Sequence, residues 1–357
     1  MSNRALLTMF VVVHLSLYFY IYPVKMIEAT SSGHWEPILV GFLIEMCCVW
    51  GYVKGLSAFP GKDIVDICTT VMGKWLALLL LIPLLLYFFL SSNITHSFEM
   101  ASISILLLPN TPTYFILFLY IIPLYIAWKG YEAISRGGIL VFICVLPLVI
   151  FSLVSSMSNF DLDNIFPIYD TRLSFFKKPM FYSAFFAHAG FLFLGFVKMN
   201  YKFPMRKVAP ILGVLLIFAL CSVYVPMLIF GQESIIYFRF PNVLTSDTVD
   251  SEWVVFDWLP TFFVIAMIAI AMVEAAVSFW MMATLIEKLF MKKRSKQKRG
   301  IAVIIVAIPS YFFSLYLDNI DTLARYTHVS TYLCFYSIIG IPLAVIFMSL
   351  RYRRKPA

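Results

Sequence analysis

Long apolar segments recur along this chain and constrain its fold more than any other feature. A run of roughly 18 or more apolar residues is long enough to cross the ~30 Å hydrocarbon layer of a bilayer as a helix. The 357 residues are 62% hydrophobic and 13% charged, whereas soluble domains average about 45–50% and about 25%. A soluble core has no room for so much apolar surface. The sequence therefore predicts an all-α integral membrane protein.

Charged or Pro/Gly-rich breaks divide the chain into ten predicted transmembrane helices, named spans 1 to 10. They lie near 5–27, 36–56, 74–96, 112–129, 137–157, 181–197, 208–230, 255–287, 301–318 and 329–350. The first run has no basic n-region beyond Arg4 and no small-residue cleavage site, so we expect a retained span rather than a signal peptide. The loops are too short to bury cores of their own. We therefore expect one transmembrane domain over residues 1–357.

The distribution of basic residues predicts the orientation of these spans. With a cytoplasmic N-terminus, all but six of the 27 Lys and Arg residues lie in the tails and in the connections that follow spans 2, 4, 6 and 8, the even-numbered connections. The positive-inside rule therefore places both termini in the cytoplasm and supports an even number of spans. The basic group "KKRSKQKR", from Lys292 to Arg299, is interpreted as a loop facing anionic lipid rather than nucleic acid.

Ten spans with both ends on one side can be divided into two halves of five, the second inserted upside down, as in many secondary transporters. The first repeat would cover about 5–157, an outer loop 158–180, and the inverted second repeat about 181–350. Spans 1 and 6 then correspond. "VVVHLSLYFYIYP" places His14 and Ser16 near the middle of span 1, and "FFAHAGF" places His188 and Gly190 near the middle of span 6.

In such folds both of these spans are broken at the bilayer midplane, and the freed main-chain groups bind substrate. Ala-His-Ala-Gly suits a break, because glycine tolerates unusual backbone angles and alanines let a ligand approach. Span 1 is the poorer case, since "SLYFY" has no glycine. A lone membrane histidine can also simply hydrogen-bond a neighbouring helix, worth ~0.6–2 kcal/mol. That simpler role is preferred for His14, and ligand binding for His188.

Three carboxylates within or at the ends of the spans have different expected roles. Glu274 lies near the middle of span 8, where a charge costs ~2.5 kcal/mol or more, and Ser278 follows one turn later on the same face. Glu274 is therefore the leading functional candidate. Glu99 is expected to be a solvated helix end, and Glu45 on span 2 is expected to belong to the scaffold.

Other kinds of function find no support in the sequence. The six cysteines show no metal or disulfide spacing and are expected to be packing residues. The chain carries no phosphate-binding glycine loop, zinc-binding helix or nucleophile elbow. Neither an enzyme, a cofactor nor a metal site is therefore expected. Glu132 and Arg136 have the i,i+4 spacing of an exposed ion pair worth a few tenths of a kcal/mol.

Several short motifs, in order, resemble the B subunits of the nutrient receptors of bacterial spore germination, a branch of the amino acid–polyamine–organocation transporter superfamily. These motifs are "FPGKDIVDICTTVMGKW" (59–75), "LLPNTPTYF" (107–115), "GYEAISRGGIL" (130–140), "FDLDNIFPI" (160–168), "FG…FP" (230–241) and the helix with Glu274 and Trp280. The resemblance covers nearly the whole chain. The family usually has a glycine-containing stretch roughly where Ser16 and Tyr18 stand here.

The resemblance implies the inverted-repeat transporter fold of the LeuT type and a small nutrient, expected to be an amino acid, bound between spans 1, 3, 6 and 8. It also implies a complex with an A-type membrane subunit and a C-type lipoprotein in the inner spore membrane. Glu132 and Arg136 match the family turn, which makes them candidates for a structural or subunit contact.

Three functions remain open at this stage. The chain could be a ligand-sensing receptor subunit, a proton-coupled amino acid transporter using Glu274 or His188, or a scaffold that has lost its ligand. For a bound amino acid, we expect the carboxylate to meet main-chain N–H groups near Ala189 and Gly190, at the positive end of a half-helix. The ammonium group would meet span 1 carbonyls and Ser92.

Overall fold

The computed structural model describes residues 3–19, 21–108, 110–112, 114, 117–170, 172–198, 205–249, 258–291, 296–317 and 319–353. These residues are predominantly helical, and the α-helices are labelled α1 to α15 in chain order. They are α1 Asn3–Tyr18, α2 Ile21–Ala29, α3 Trp35–Leu56, α4 Ile64–Met72, α5 Lys74–Leu106, α6 Ile121–Lys129, α7 Tyr131–Ser155, α8 Pro179–Ser183, α9 Met205–Phe230, α10 Gln232–Ile235, α11 Pro241–Asp247, α12 Leu259–Phe290, α13 Lys296–Tyr316, α14 Ile320–Phe335 and α15 Ile341–Arg353.

Short 3-10 helices and one π-helix complete the described secondary structure. The 3-10 helices are Leu117–Tyr120, Ser156–Asn159, Leu162–Ile165, Ser174–Lys177 and Ala184–Phe196, and the π-helix is Tyr336–Gly340. The π-helix joins α14 to α15 without a break, so these three segments form predicted span 10.

The helices are those of an integral membrane protein. Within the part of the chain that the structure describes, eight are long and apolar enough to cross a bilayer, and the bent pair of α1 and α2 raises this to nine. Predicted span 4 lies partly outside the described residues, as do the motif at 107–115 and the basic group from Lys292. The described part of that span consists of the 3-10 helix Leu117–Tyr120 and α6. The count of ten therefore stays a prediction.

Span 1 contains a bend. Helices α1 and α2 meet at an angle of 59°. Pro23 falls in the first turn of α2, where backbone N–H groups have no helical partner, so the missing N–H of proline costs no hydrogen bond. At the bend, the side-chain amide of Asn242 on α11 donates to the carbonyl of Phe19 at 3.3 Å, and Asn242 is itself buried. The bend therefore lies in span 1, where the sequence favoured a break less strongly than in span 6.

Span 6, by contrast, is continuous. After the short helix α8, residues Ala184–Phe196 form a 3-10 helix of 13 residues, far beyond the usual 3–4. The predicted break at Ala-His-Ala-Gly is therefore wrong: tighter winding replaces an interruption. Because a 3-10 helix rises ~2.0 Å per residue and an α-helix ~1.5 Å, α8 and this 3-10 helix together span about 33 Å, enough for the hydrocarbon layer.

Helix α12 occupies the centre of the bundle and α7 its periphery. In the apolar stretch of α12, 72% of the residues are buried, against 22% in α7. Helix α12 packs against α1, α5, α6, α7 and α13. Glu274 and Ser278 therefore lie on a helix that its neighbours enclose, whereas the outer face of α7 is available to lipid or to another protein.

Two cavities lie at opposite ends of the predicted topology. The first, of about 490 Å³, is the basic-end cavity, and its charged lining comes entirely from predicted even-numbered connections and the span ends beside them. Its charged residues are Asp63, Lys129, Glu132, Lys198, Glu287, Lys288 and Arg299. The second, of about 740 Å³, is the opposite-end cavity and includes Glu28, His34, Lys178 and Glu233. Residues that the charge pattern assigns to one face thus come together in space.

Candidate functional site

One glutamate and two histidines meet in the interior of the bundle and form the His–Glu–His cluster (His14, Glu45 and His188). Nε2 of His14 lies 2.9 Å from Oε1 of Glu45, and Nδ1 of His188 lies 2.7 Å from Oε2 of the same carboxylate. All three side chains are buried. The cluster joins α1, α3 and the 3-10 helix Ala184–Phe196, so it ties together the central spans of both predicted halves.

Two glycines make room for the histidine rings. A Cβ atom at Gly41, one turn before Glu45, would lie 2.6 Å from Nε2 of His188. A Cβ atom at Gly190 would lie 2.8 Å from both Cε1 and Nε2 of His14. Each imidazole therefore packs directly on the backbone of a neighbouring helix, which is what allows both rings to reach the same carboxylate.

Aromatic side chains enclose the cluster. The rings of Tyr18 and Tyr22 lie 6.2 Å and 5.9 Å from that of His188, and Phe42 lies 5.0 Å away, edge to face. Within the described residues, the buried hydroxyls of Tyr18 and Tyr22 have no hydrogen-bond partner. Since buried polar groups are normally paired, these hydroxyls are available to a ligand or to a different arrangement of the helices.

The structure gives His14 and Glu45 contacts that the sequence did not predict. His14 pairs with Glu45 and also meets His188 through it, so its contact is more than a bond between two helices. Glu45, expected to be scaffold, is the centre of the cluster. A signal for this existed in the sequence: Glu45 stands near the middle of the apolar stretch that forms α3, and the burial cost that singled out Glu274 applies to it equally.

A second polar cluster (His96, Glu99, Tyr120, Glu274 and Ser278) lies between α5, the start of α6 and α12. Ser278 donates to Oε1 of Glu274 at 2.6 Å, and the hydroxyl of Tyr120 donates to Oε2 of Glu99 at 2.5 Å. The ring of His96 lies 4.1 Å from that of Tyr120. Glu99 is buried, so its predicted exposure at a helix end is wrong. Helix α5 continues to Leu106 and carries Glu99 into the protein.

The remaining predicted ligand residues are placed less favourably. The hydroxyls of Ser16 and Ser92 donate to carbonyls of their own helices, those of Val13 and Phe89, at 2.8 Å and 3.3 Å. Ala189 is buried. In a 3-10 helix each internal N–H group bonds the carbonyl three residues earlier, so the main chain near Ala189 and Gly190 is not free in the way the prediction required.

A small pocket lined by hydroxyl groups lies where spans 1, 3, 6 and 10 meet. This hydroxyl pocket has a volume of about 20 Å³, the room of roughly one water molecule. Its polar lining residues are Lys25, Ser91, Thr95, Ser183, Thr327, Ser330 and Thr331. The ammonium group of Lys25 lies 3.6 Å from the sulfur of Met180 and 3.9 Å from a carboxylate oxygen of Glu28. The sequence predicted Lys25 on the outer side, at the end of span 1 (5–27), and favoured Ser92 rather than its neighbour Ser91.

Ion pairs cross the basic-end cavity. Lys288 on α12 contacts the carboxylate of Asp63 directly and that of Asp66 at 2.7 Å. Asp66 also meets Lys198 at 3.4 Å, just after the 3-10 helix of span 6. Asp63 is in addition the N-cap of α4, accepting from the backbone N–H of Asp66. These pairs connect span 6, the connection between spans 2 and 3, and the end of α12.

Glu132 and Arg136 are exposed near the start of α7, and Glu132 lines the basic-end cavity.

At the other end of the protein, burial lowers the pKa of His34 to about 4, so this histidine is neutral at pH 7. Within the described ranges, no three His, Cys, Asp or Glu side chains are placed to hold a metal ion.

Comparison with known families identifies the kind of protein. The family model described as spore germination protein matches residues 1–322. The chain belongs to the spore germination protein family. A comparison with curated proteins finds no relative similar enough to match. The family membership agrees with the resemblance read from the ordered motifs.

Solved structures of LeuT-fold transporters share the fold of this family member. A mutant of the manganese transporter of Eremococcus coleocola superimposes with a TM-score of 0.56 at 12% identity, covering 96% of this chain and 78% of that chain. MhsT in complex with L-phenylalanine has a TM-score of 0.56 at 13% identity, covering 96% and 97%. At these identities the likeness concerns the fold alone.

Proposed function

We propose that the chain is a B-type membrane subunit of a spore germinant receptor, which binds a small nutrient in a transporter-like site and helps to trigger germination. Its family supports the germination role. The LeuT-type fold supports a solute site, since the similar structure of MhsT holds L-phenylalanine. An amino acid is therefore the proposed ligand, and the plasma membrane or inner spore membrane the proposed location.

The proposed architecture is ten spans in two inverted halves with both termini in the cytoplasm. The gathering of even-numbered connections around one cavity and of odd-numbered loops around another supports it. Tags at each terminus, tested for access from either side of sealed vesicles, provide the check. Tags on different sides would contradict an even number of spans.

The proposed partners are an A-type membrane subunit and a C-type lipoprotein. The exposed side chains of Glu132 and Arg136, beside the basic-end cavity, are the proposed contact. Co-purification with the A-type subunit after charge reversal at both positions tests this role, and unchanged recovery would argue against it.

The single observation that carries the ligand proposal is the hydroxyl pocket beside Lys25. An ammonium group recognises a carboxylate through charge-assisted hydrogen bonds. Hydroxyl groups around it would add donors once Ser183, Thr327 and Thr331 turn away from the helix carbonyls that they now bond. The sequence predicted this carboxylate near Ala189 and Gly190, but continuous winding there and the contact of Gly190 with His14 favour Lys25 instead. We keep the predicted region between spans 1, 3 and 6. The pocket has room for about one water molecule. Binding of an amino acid therefore requires the helices to separate, a motion opposite to the closure of a transporter around its ligand.

The test is equilibrium binding of an amino acid panel to the purified chain in nanodiscs, alone and with its partner subunits. Lys25→Met should weaken binding of amino acids by tenfold or more, and should not affect the corresponding decarboxylated amines. Lys177→Met, at an exposed lysine of the outer loop, is the matched control. Equal affinity in both variants would exclude Lys25 as the carboxylate partner. A complete absence of saturable binding by the assembled complex would favour the scaffold role.

The second candidate function is proton-coupled amino acid transport. The fold shared with transporters and the buried carboxylate of Glu274 favour it. Uptake of labelled amino acid into liposomes, dependent on a pH gradient, would support transport. Loss of germination on deletion of the gene, without any change in uptake, would support the receptor.

A further inference from the structure

The two ring nitrogens of His14 both face oxygen atoms that accept hydrogen bonds. Nδ1 lies 2.6 Å from the carbonyl oxygen of Phe10, and Nε2 lies 2.9 Å from Oε1 of Glu45. A carbonyl oxygen cannot donate, so Nδ1 carries a hydrogen. The contact between Nε2 and Oε1 of Glu45 does not have the geometry of a hydrogen bond. Because a bare nitrogen held 2.9 Å from a carboxylate oxygen would be repelled, we place a second hydrogen in this contact, carried either by an imidazolium or by a protonated carboxyl group.

The same count applies to His188. Its Nδ1 lies 2.7 Å from Oε2 of Glu45, so the imidazole donates there as the neutral Nδ1–H form. Its Nε2 atom is buried, and within the described residues it has no hydrogen-bond partner. The cluster as a whole therefore carries no net charge: one proton is shared between His14 and Glu45, and Nε2 of His188 is an unprotonated base.

The surroundings of Nε2 determine when it can take a proton. In this closed arrangement it packs on the backbone of Gly41, under the rings of Tyr18 and Tyr22. A proton added here would bury an N–H group that has no acceptor among the described residues, and a positive charge whose nearest carboxylate, Glu45, already faces His14, both costly. If α1, α3 and the 3-10 helix separate, water reaches the ring and that cost falls.

The other titratable groups nearby do not supply a compensating charge. Tyr18 on α1, Tyr22 on α2 and Cys48 on α3 interact electrostatically with Glu45. These residue types are uncharged at pH 7 in ordinary surroundings. The charge of the cluster therefore depends on its own three side chains.

We propose that the His–Glu–His cluster is a proton-binding site whose second proton, taken from water onto Nε2 of His188, is bound when the central helices open. The cluster then changes from neutral and closed to singly positive and open. By linkage, acid favours the open form, and any ligand that needs the open form binds together with a proton. This site differs from Glu274, and the inference holds for a receptor and a transporter alike, because proton binding is measured without any nutrient.

The first test is nitrogen NMR of the full-length wild-type chain in nanodiscs with labelled histidine. The chain has five histidines, which single substitutions assign. At about pH 8, where free histidine is neutral, Nδ1 of His14 should carry a hydrogen and Nε2 should show a shared one, while Nε2 of His188 should be bare. A bare Nε2 on His14 would overturn the proton count. The protonation states are read from the wild type, and the substitutions serve only to assign its signals.

The second test is amide hydrogen exchange in α1 and in residues 184–196 at about pH 5.5 and about pH 7.5, corrected for intrinsic rates, across the range in which histidine titrates. Opening should increase at the lower pH by up to tenfold per pH unit, the limit for uptake of one proton. His188→Gln should abolish this dependence. His96→Gln, at the buried histidine of the second polar cluster, should retain it. An unchanged pH dependence in His188→Gln would refute the proposal, whatever the outcome of the nutrient-binding experiments.

Discussion

Gly190 lies against the imidazole ring of His14, so close that a Cβ atom at Gly190 would stand 2.8 Å from two atoms of that ring. Gly41 stands in the same relation to His188, at 2.6 Å from Nε2. Span 6 thus has a glycine at its centre because a side chain from span 1 must approach its backbone, and not because the helix is interrupted there.

Alanine at either glycine should overpack the His–Glu–His cluster. We expect Gly41→Ala and Gly190→Ala each to lower the free energy of unfolding by about 1–3 kcal/mol, measured by denaturant unfolding in detergent. Gly213→Ala on α9, where a Cβ would meet nothing within 4 Å, is the control and should be neutral or slightly stabilising. Equal behaviour of all three variants would show that the rings have room to move.

Neutralising Glu45 should be more damaging than neutralising Glu274. Glu45 holds two histidines, and removing one partner of a buried ionic network typically costs about 3–5 kcal/mol. In Glu274→Gln the amide oxygen still accepts from Ser278, and Oε2 has no partner to lose among the described residues. We expect a loss below about 1.5 kcal/mol there. Thermal unfolding of Glu45→Gln and Glu274→Gln side by side makes the comparison, and the reverse order would contradict the cluster.

The ion pairs at the basic-end cavity should differ in strength according to burial. The Lys288 side chain is 6% exposed and faces Asp63 at 3%, whereas the Lys198 side chain is 47% exposed. Lys288→Met should therefore cost about 3–5 kcal/mol, and Lys198→Met less than about 1 kcal/mol. Adding Asp63→Asn to Lys288→Met should cost less than the sum of the two changes. Additive losses would show that the two side chains do not interact.

The outer loop around Asp170 should depend on pH in a defined direction. Its carboxylate accepts from the hydroxyl and the backbone N–H of Ser174, each at 2.5 Å, and from the N–H of Arg172 at 3.1 Å. These bonds, that with the Ser174 hydroxyl first, lower the pKa of Asp170. A lowered folded-state pKa means that the stabilisation is complete above the unfolded value and is lost as the pH falls through the folded value.

Hydrogen exchange in the 3-10 helix Ser174–Lys177 measures this effect. Protection in the wild type should persist at neutral pH and fall in strong acid, below the ordinary aspartate pKa of about 3.9. Asp170→Asn should already lack the protection at neutral pH. Protection that is the same in both proteins would show that the carboxylate does not hold the loop.

The sequence predicted the membrane location, most of the spans and the family, because each depends on local quantities. Transfer of a side chain into lipid has a cost that depends on the residue itself, so runs of apolar residues indicate spans without knowledge of their neighbours. The ordered motifs work in the same way. Glu274 was singled out in the same way, by the cost of placing a charge near the middle of the bilayer.

The tertiary structure decided which polar groups meet. Whether Glu45 supports the scaffold or pairs with His14 and His188 depends on the rotation of α3 about its axis and on two glycines that admit the rings. Whether Glu99 is solvated depends on how far α5 continues into the bundle. Such relations join residues far apart in the chain, and hydropathy carries no information about them. The sequence alone therefore determined that costly polar groups lie inside the membrane, and the packing of the helices determined how each of them is paired.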